Sequence, residues 1–148
     1  MSKQAEGELI LKLYDLRREP TMRKARDWFF MEFNPESVAD VNAAMFSEHS
    51  GYIRMVLSYW DMAAGLVNYG SISAELFGET NGEHFSVFAK MELLVGEIRA
   101  MYGPQFLANL EKLVDATPNG RERCLQMRER MKGIRAQMAS KAQGAGKA

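Results

Sequence analysis

An all-α fold follows from three features of this 148-residue chain. Apolar residues recur every three or four positions along most of its length. Pro and Gly fall singly, where one such run ends and the next begins. No stretch alternates apolar and polar side chains as a half-buried strand does. The expected architecture is a bundle of about seven helices around a buried central helix near residues 51–69, followed by a long basic amphipathic helix. Residues 1–117 read as the bundle core, 118–141 as the basic helix packing on that core or on a partner, and 142–148 as a disordered tail.

Leu9, Leu13 and Leu16, with Ile10 beside them, make one apolar face, so residues 6–18 read as a first helix. Pro20 suits the first turn of a second helix, with Glu19 at its N-terminus and Met22, Ala25, Trp28, Phe29 and Phe33 along it. Asn34-Pro35-Glu36 reads as the start of a third: an N-cap, a proline at the first helical position, then an acid. Val38, Val41 and Met45 then point inward. Ser50-Gly51 opens the fourth helix, and Gly70 ends it in a left-handed cap. That helix is apolar nearly all round, from Tyr52 and Ile53 to Leu66 and Val67, which places it in the middle of the bundle. Ser73 caps a short turn that Gly78 ends. Asn81-Gly82 precedes a sixth helix bearing Phe85, Phe88, Met91, Val95, Ile98 and Tyr102. Gly103-Pro104 breaks it and starts a seventh with Leu107, Leu110 and Val114. Thr117-Pro118-Asn119-Gly120 is the last connector, and a final helix covers residues 121–140.

Composition excludes several classes. With 47% apolar and 26% charged residues, 12 Gly and 4 Pro, the chain is neither collagen-like nor intrinsically disordered. Its length buries a single core, roughly 70% of the surface the unfolded chain exposes. One Cys cannot form an internal disulfide and no glycosylation sequon occurs, so nothing points to secretion. Leu9, Ile10 and Leu11 are too short a run for a signal-peptide core, and Arg54, Asp61 and Asn68 interrupt the most apolar stretch. A cytoplasmic protein is expected. Net charge is zero but uneven: +3 over residues 1–26, −9 over 27–117 and +6 over 118–148. Basic ends around an acidic middle are most simply self-complementary; an external acidic partner is the other reading.

Candidate chemistry is sparse. Each histidine follows an acid, as Glu48-His49 and Glu83-His84, and adjacent residues diverge by about 100° on a helix, so neither pair can chelate one ion. They read as solvated helix termini. Cys124 has Arg121, Arg123 and Arg128 near it to favour a thiolate, yet it belongs to an apolar stripe and reads as a small hydrophobe in a seam. Phosphate loops and nucleophile motifs are missing. No catalytic, cofactor-binding or metal-ligating set emerges, and no cofactor is expected. On the central helix Arg54, Ser58, Asp61, Gly65 and Asn68 share one face. This polar line is a solvent-facing strip in the simpler reading, or the lining of a ligand pocket with Trp60 on its wall. The eleven Met residues read first as core filling.

The last helix is the most informative. Cys124, Met127, Met131, Ile134 and Met138 recur at coiled-coil seam spacing, flanked by Arg123, Arg128, Arg130 and Arg135. Nucleic-acid binding is disfavoured because aromatic and base-reading residues are lacking there. A membrane surface is disfavoured too, since Leu125 is the lone anchor of the usual kind. Packing against another helix is the expectation.

Leu13-Tyr14-Asp15-Leu16-Arg17, Trp60-Asp61 and Gly70-Ser71-Ile72 together resemble an uncharacterised bacterial all-helical family of unknown function, over about residues 9–115. The resemblance implies the helical fold and supplies no catalytic residue. Relatives with an N-terminal membrane helix differ from this chain, so a membrane location is not implied. The functional expectation is a non-enzymatic bacterial domain acting through protein contacts, as an oligomer or a complex component. The alternatives are a small-ligand or regulatory domain using the polar line and, more weakly, nucleic-acid binding through the basic helix.

Overall fold

The computed structural model describes residues 2–145, whose regular structure is all helix, with no strand among them. The order is α1 (Lys3–Arg17), α2 (Pro20–Met31), α3 (Val38–Met45), α4 (Ser50–Tyr69), α5 (Ala74–Thr80), α6 (Glu83–Met91), a 3-10 turn (Glu92–Leu94), α7 (Val95–Tyr102), α8 (Ala108–Ala116) and α9 (Gly120–Ala145). The all-α expectation holds. Helix α4 is the axis of the bundle, packed by α2, α3, α5, α6 and α8. It buries Ile53, Val56, Leu57, Tyr59, Trp60, Ala63, Ala64 and Val67, spread over most of its circumference as its sequence requires.

Local caps work as their spacing suggests. The Glu19 carboxylate accepts from the Met22 amide at 2.9 Å, with Pro20 at the first helical position. Gly70 takes φ 94°, and the amide of Ser71 beyond it donates to the Leu66 carbonyl at 2.9 Å. Ser73 caps α5 through the Leu76 amide.

Before α9, four boundaries differ from the sequence reading. Helix α3 starts at Val38, not at Pro35, and its cap is Ser37, whose hydroxyl accepts from the Asp40 amide. Asn34 is occupied elsewhere, by Lys90 and Arg135. Helix α5 runs past Gly78 to Thr80, whose hydroxyl donates to the Leu76 carbonyl. The expected sixth helix is two, separated by the 3-10 turn at the place where Arg121 and Arg128 of α9 both reach Glu92. Helix α8 starts at Ala108 rather than Pro104, because the chain first turns through Gly103 (φ 120°) and Leu107 (φ 52°).

Helix α9 begins where the backbone is tightest. A Cβ on Gly120 would lie 1.9 Å from the Val114 carbonyl oxygen, so only glycine lets α8 and α9 meet at this corner. The helix then crosses α6 and α8 and continues to Ala145. Residues 142–145, expected in a disordered tail, are helical; residues 146–148 lie outside the described part. Cys124 belongs to the same core as α4 and α6, with Met127 and Met131 packed against it. The first half of α9 is therefore part of the bundle.

Candidate functional site

The polar line of α4 divides in two. Arg54 and Ser58 are exposed and bond their own helix, through the Ser50 and Arg54 carbonyls. They border an open cleft of about 380 Å³ with Met45 and Phe106. Asp61 lines the same cleft, and it and Asn68 both bond α8. Asp61 accepts from the Leu110 amide at 2.9 Å and the Asn109 side chain at 3.2 Å. Asn68 donates to the Asn109 carbonyl at 2.9 Å, and Gly65 lies beneath the Asn109 side chain. At Asp61 a place on the cleft wall and a bond to α8 coincide. Leu107, at the start of α8, has no capping side chain, and Asp61 satisfies the orphan amide from another helix.

The two acid–histidine pairs differ: Glu48–His49 is a solvated terminus, with Glu48 exposed and His49 at the N-cap of α4, whereas Glu83–His84 is packed into the bundle. Glu83 is half-buried and takes a bidentate pair from Arg26, at 2.6 and 2.9 Å, plus the Trp60 indole N–H at 2.9 Å. Arg26 is held charged, its pKa raised chiefly by the hydrogen bonds to Glu83. His84 is 2% exposed and its Nδ1 finds no partner among the described residues. Burial, with Arg123 adding, lowers its pKa to about 4, so it is neutral at physiological pH. His49 stacks on Trp28 at 5.0 Å. No three metal-ligating side chains converge among the described residues.

Cys124 is fully buried, and burial, with Glu92 adding, pushes its thiol up to about 11. The nearby arginines do not reverse that shift, so the side chain acts as a small hydrophobe.

The arginines of α9 are put to separate uses. Arg121 gathers Asp115 at 2.6 Å, Glu111 at 3.0 Å and Glu92 at 3.4 Å. Arg123 lies 4.0 Å above the Phe85 ring. Arg128 donates to the Ala89 carbonyl at 3.0 Å and pairs with Glu92 at 3.3 Å. Arg130 is exposed over a groove with Phe85 and Met127. Arg135 reaches the Asn34 side-chain oxygen at 2.7 Å. The seam is covered through Met131, whereas Ile134 and Met138 are each 46% exposed.

Sequence reasoning passed over Lys90 and read Asn34 only as a helix cap. Lys90 donates to the Phe29 and Phe33 carbonyls at 2.7 and 2.5 Å and to Asn34 Oδ1 at 3.2 Å, closing the C-terminal end of α2. A signal existed: Lys90 is the lone Lys or Arg between Arg54 and Arg99. Among the described residues no helix is long and apolar enough to cross a membrane.

A family model described as a domain of unknown function, DUF4760, matches residues 4–117. The chain belongs to this family. The DUF4760 match covers α1 to α8 and stops before α9. No curated protein and no solved structure matches the chain. Within the DUF4760 region, the short motifs noted in the sequence have structural work. The Leu13 carbonyl accepts from the Tyr59 hydroxyl, Trp60 donates to Glu83, Asp61 caps α8 and Gly70 caps α4.

Proposed function

We propose that this protein is a non-enzymatic bacterial helical module, cytoplasmic, that works through protein contacts made by the projecting half of α9. One observation carries the reading: the apolar stripe of α9 outlasts the core that covers it. Cys124 is buried and Met131 half-buried, yet Ile134 and Met138 continue the same spacing into solvent. The segment from Lys132 to Ala145 extends the helix by about 20 Å. It carries Lys132, Arg135 and Lys141 and no acid.

The partner we assign is the acidic face of a second copy. Asp27, Glu32, Glu36, Asp40 and Glu48 are all exposed, and no Lys or Arg occurs from residue 27 to 53. Pairing of two α9 tails is disfavoured because arginine would face arginine in either orientation. Light scattering across a dilution series of the full chain tests this. The expected result is a reversible dimer that weakens with salt. Replacing both Ile134 and Met138 by Asp should leave a monomer of unchanged thermal stability, because both side chains are outside the core. A full chain that stays monomeric at about 100 µM in low salt overturns the reading.

A further inference from the structure

Between the loop after α2, the end of α6 and the middle of α9 lies a cleft of about 380 Å³. Lys90, Arg128, Lys132 and Arg135 line it, against the single acid Glu36, which is exposed. Their partners differ. Arg128 is neutralised by Glu92 at 3.3 Å, with both side chains mostly buried. Lys132 has Glu129 at 3.7 Å, but each is about 60% exposed, so that pair counts for little. Lys90 and Arg135 have no carboxylate within ion-pair distance among the described residues. Both point at one neutral oxygen, Asn34 Oδ1, at 3.2 and 2.7 Å.

Two cations converging on one amide oxygen, partly out of water, repel each other more than they would in solvent. The strain shows in Lys90, whose pKa is lowered to about 7, by burial first and by Arg135 second. Lys90 spends its N–H donors on carbonyls and so, when protonated, contributes positive potential rather than a ligand contact. Arg135 uses one guanidinium nitrogen on Asn34 and keeps the rest of its planar fork.

We infer that this cleft binds a small phosphorylated ligand, with the phosphate between Arg135 and Lys132 and above Lys90. Phosphate suits the charge count, because a dianion offers several oxygens to several cations and can take a bidentate arginine. Leu93, Leu94 and Met131 supply an apolar wall for an organic part, and the volume falls within the range of small-molecule sites. The cleft shares Lys132 and Arg135 with the protein-contact segment but not Ile134 or Met138, so replacing those two by Asp should abolish the dimer and leave phosphate binding intact, which tells the two readings apart.

The test is a titration of the full chain with inorganic phosphate and with phenyl phosphate, followed by amide NMR, with sodium chloride at matched ionic strength as control. Saturable shifts around Asn34 and Lys90 are expected, with phenyl phosphate binding more tightly than inorganic phosphate. Arg135→Gln and Lys132→Gln should each weaken binding about tenfold or more. Arg130→Gln, at the separate groove beside Phe85, should leave it unchanged. Shifts that chloride reproduces overturn the site, as does an Arg130→Gln loss equal to that of Arg135→Gln. Equal affinity for the two phosphates overturns the assignment to an organic phosphate.

Discussion

Removing the Asp61 carboxylate should loosen the start of α8, although Asp61 lies in the middle of α4. Its Oδ1 accepts from the Leu110 amide at 2.9 Å, and its Oδ2 accepts from the Asn109 side chain at 3.2 Å. Leu107, the residue before α8, sits at φ 52° and has no side-chain oxygen to cap the first turn. A lost N-cap costs about 1–2 kcal/mol. The second hydrogen bond and the favourable charge near a helix N-terminus add about 1 kcal/mol together. Asp61→Ala should therefore cost about 2–3 kcal/mol, which lowers Tm by roughly 5–10 °C in a chain of this size. Asp61→Asn keeps one oxygen for Leu110 and should lose about half as much. Urea unfolding followed by circular dichroism reads all of these. Ser58→Ala is the control, since Ser58 is exposed and bonds only its own helix. An Asp61→Ala variant within about 0.5 kcal/mol of the parent, or equal to Ser58→Ala, would refute the cross-helix cap.

Gly120→Ala places a methyl carbon 1.9 Å from the Val114 carbonyl oxygen, so α9 must shift. A loss of at least about 2 kcal/mol is expected, with faster hydrogen exchange at Cys124 and Met127. Glu83→Ala strands the Arg26 guanidinium and the Trp60 indole and should cost about 3 kcal/mol, whereas pairing Glu83→Leu with Arg26→Met should recover much of that in the same assay. His84 is held near 4 in the fold against 6.5 for the free side chain. The unfolded chain therefore takes up a proton first as pH falls. Stability from this source is whole above pH 6.5 and is lost on acidification towards pH 4, by up to about 3 kcal/mol. Unfolding curves at pH 7 and pH 5 should show that slope in the parent and not in His84→Leu.

What could be read from the sequence is what is settled within a turn or two of helix. The Glu19, Gly70 and Ser73 caps depend on neighbours three or four residues away, so their residue types suffice. The burial of α4 follows from its own composition. Asn34-Pro35 carries the same local grammar and still fails as a helix start, because Lys90 and Arg135 claim the Asn34 oxygen from 56 and 101 residues away. Asp61, Glu83 and Lys90 are polar side chains on mostly apolar helices. Their sequence surroundings fit a solvent-facing strip as well as they fit a buried contact. Which of the two holds depends on whether another helix brings an unsatisfied amide, indole or carbonyl to that position, and helical periodicity contains no term for that. The same reasoning explains α9. Its 3-4 spacing identifies the stripe that wants cover, but where cover stops, after Met131, is fixed by how far α6 reaches beneath it. An amphipathic pattern therefore specifies a demand for contact over its whole length, and the length that one chain leaves unmet, here Ile134 and Met138, is where a second chain has something to bury.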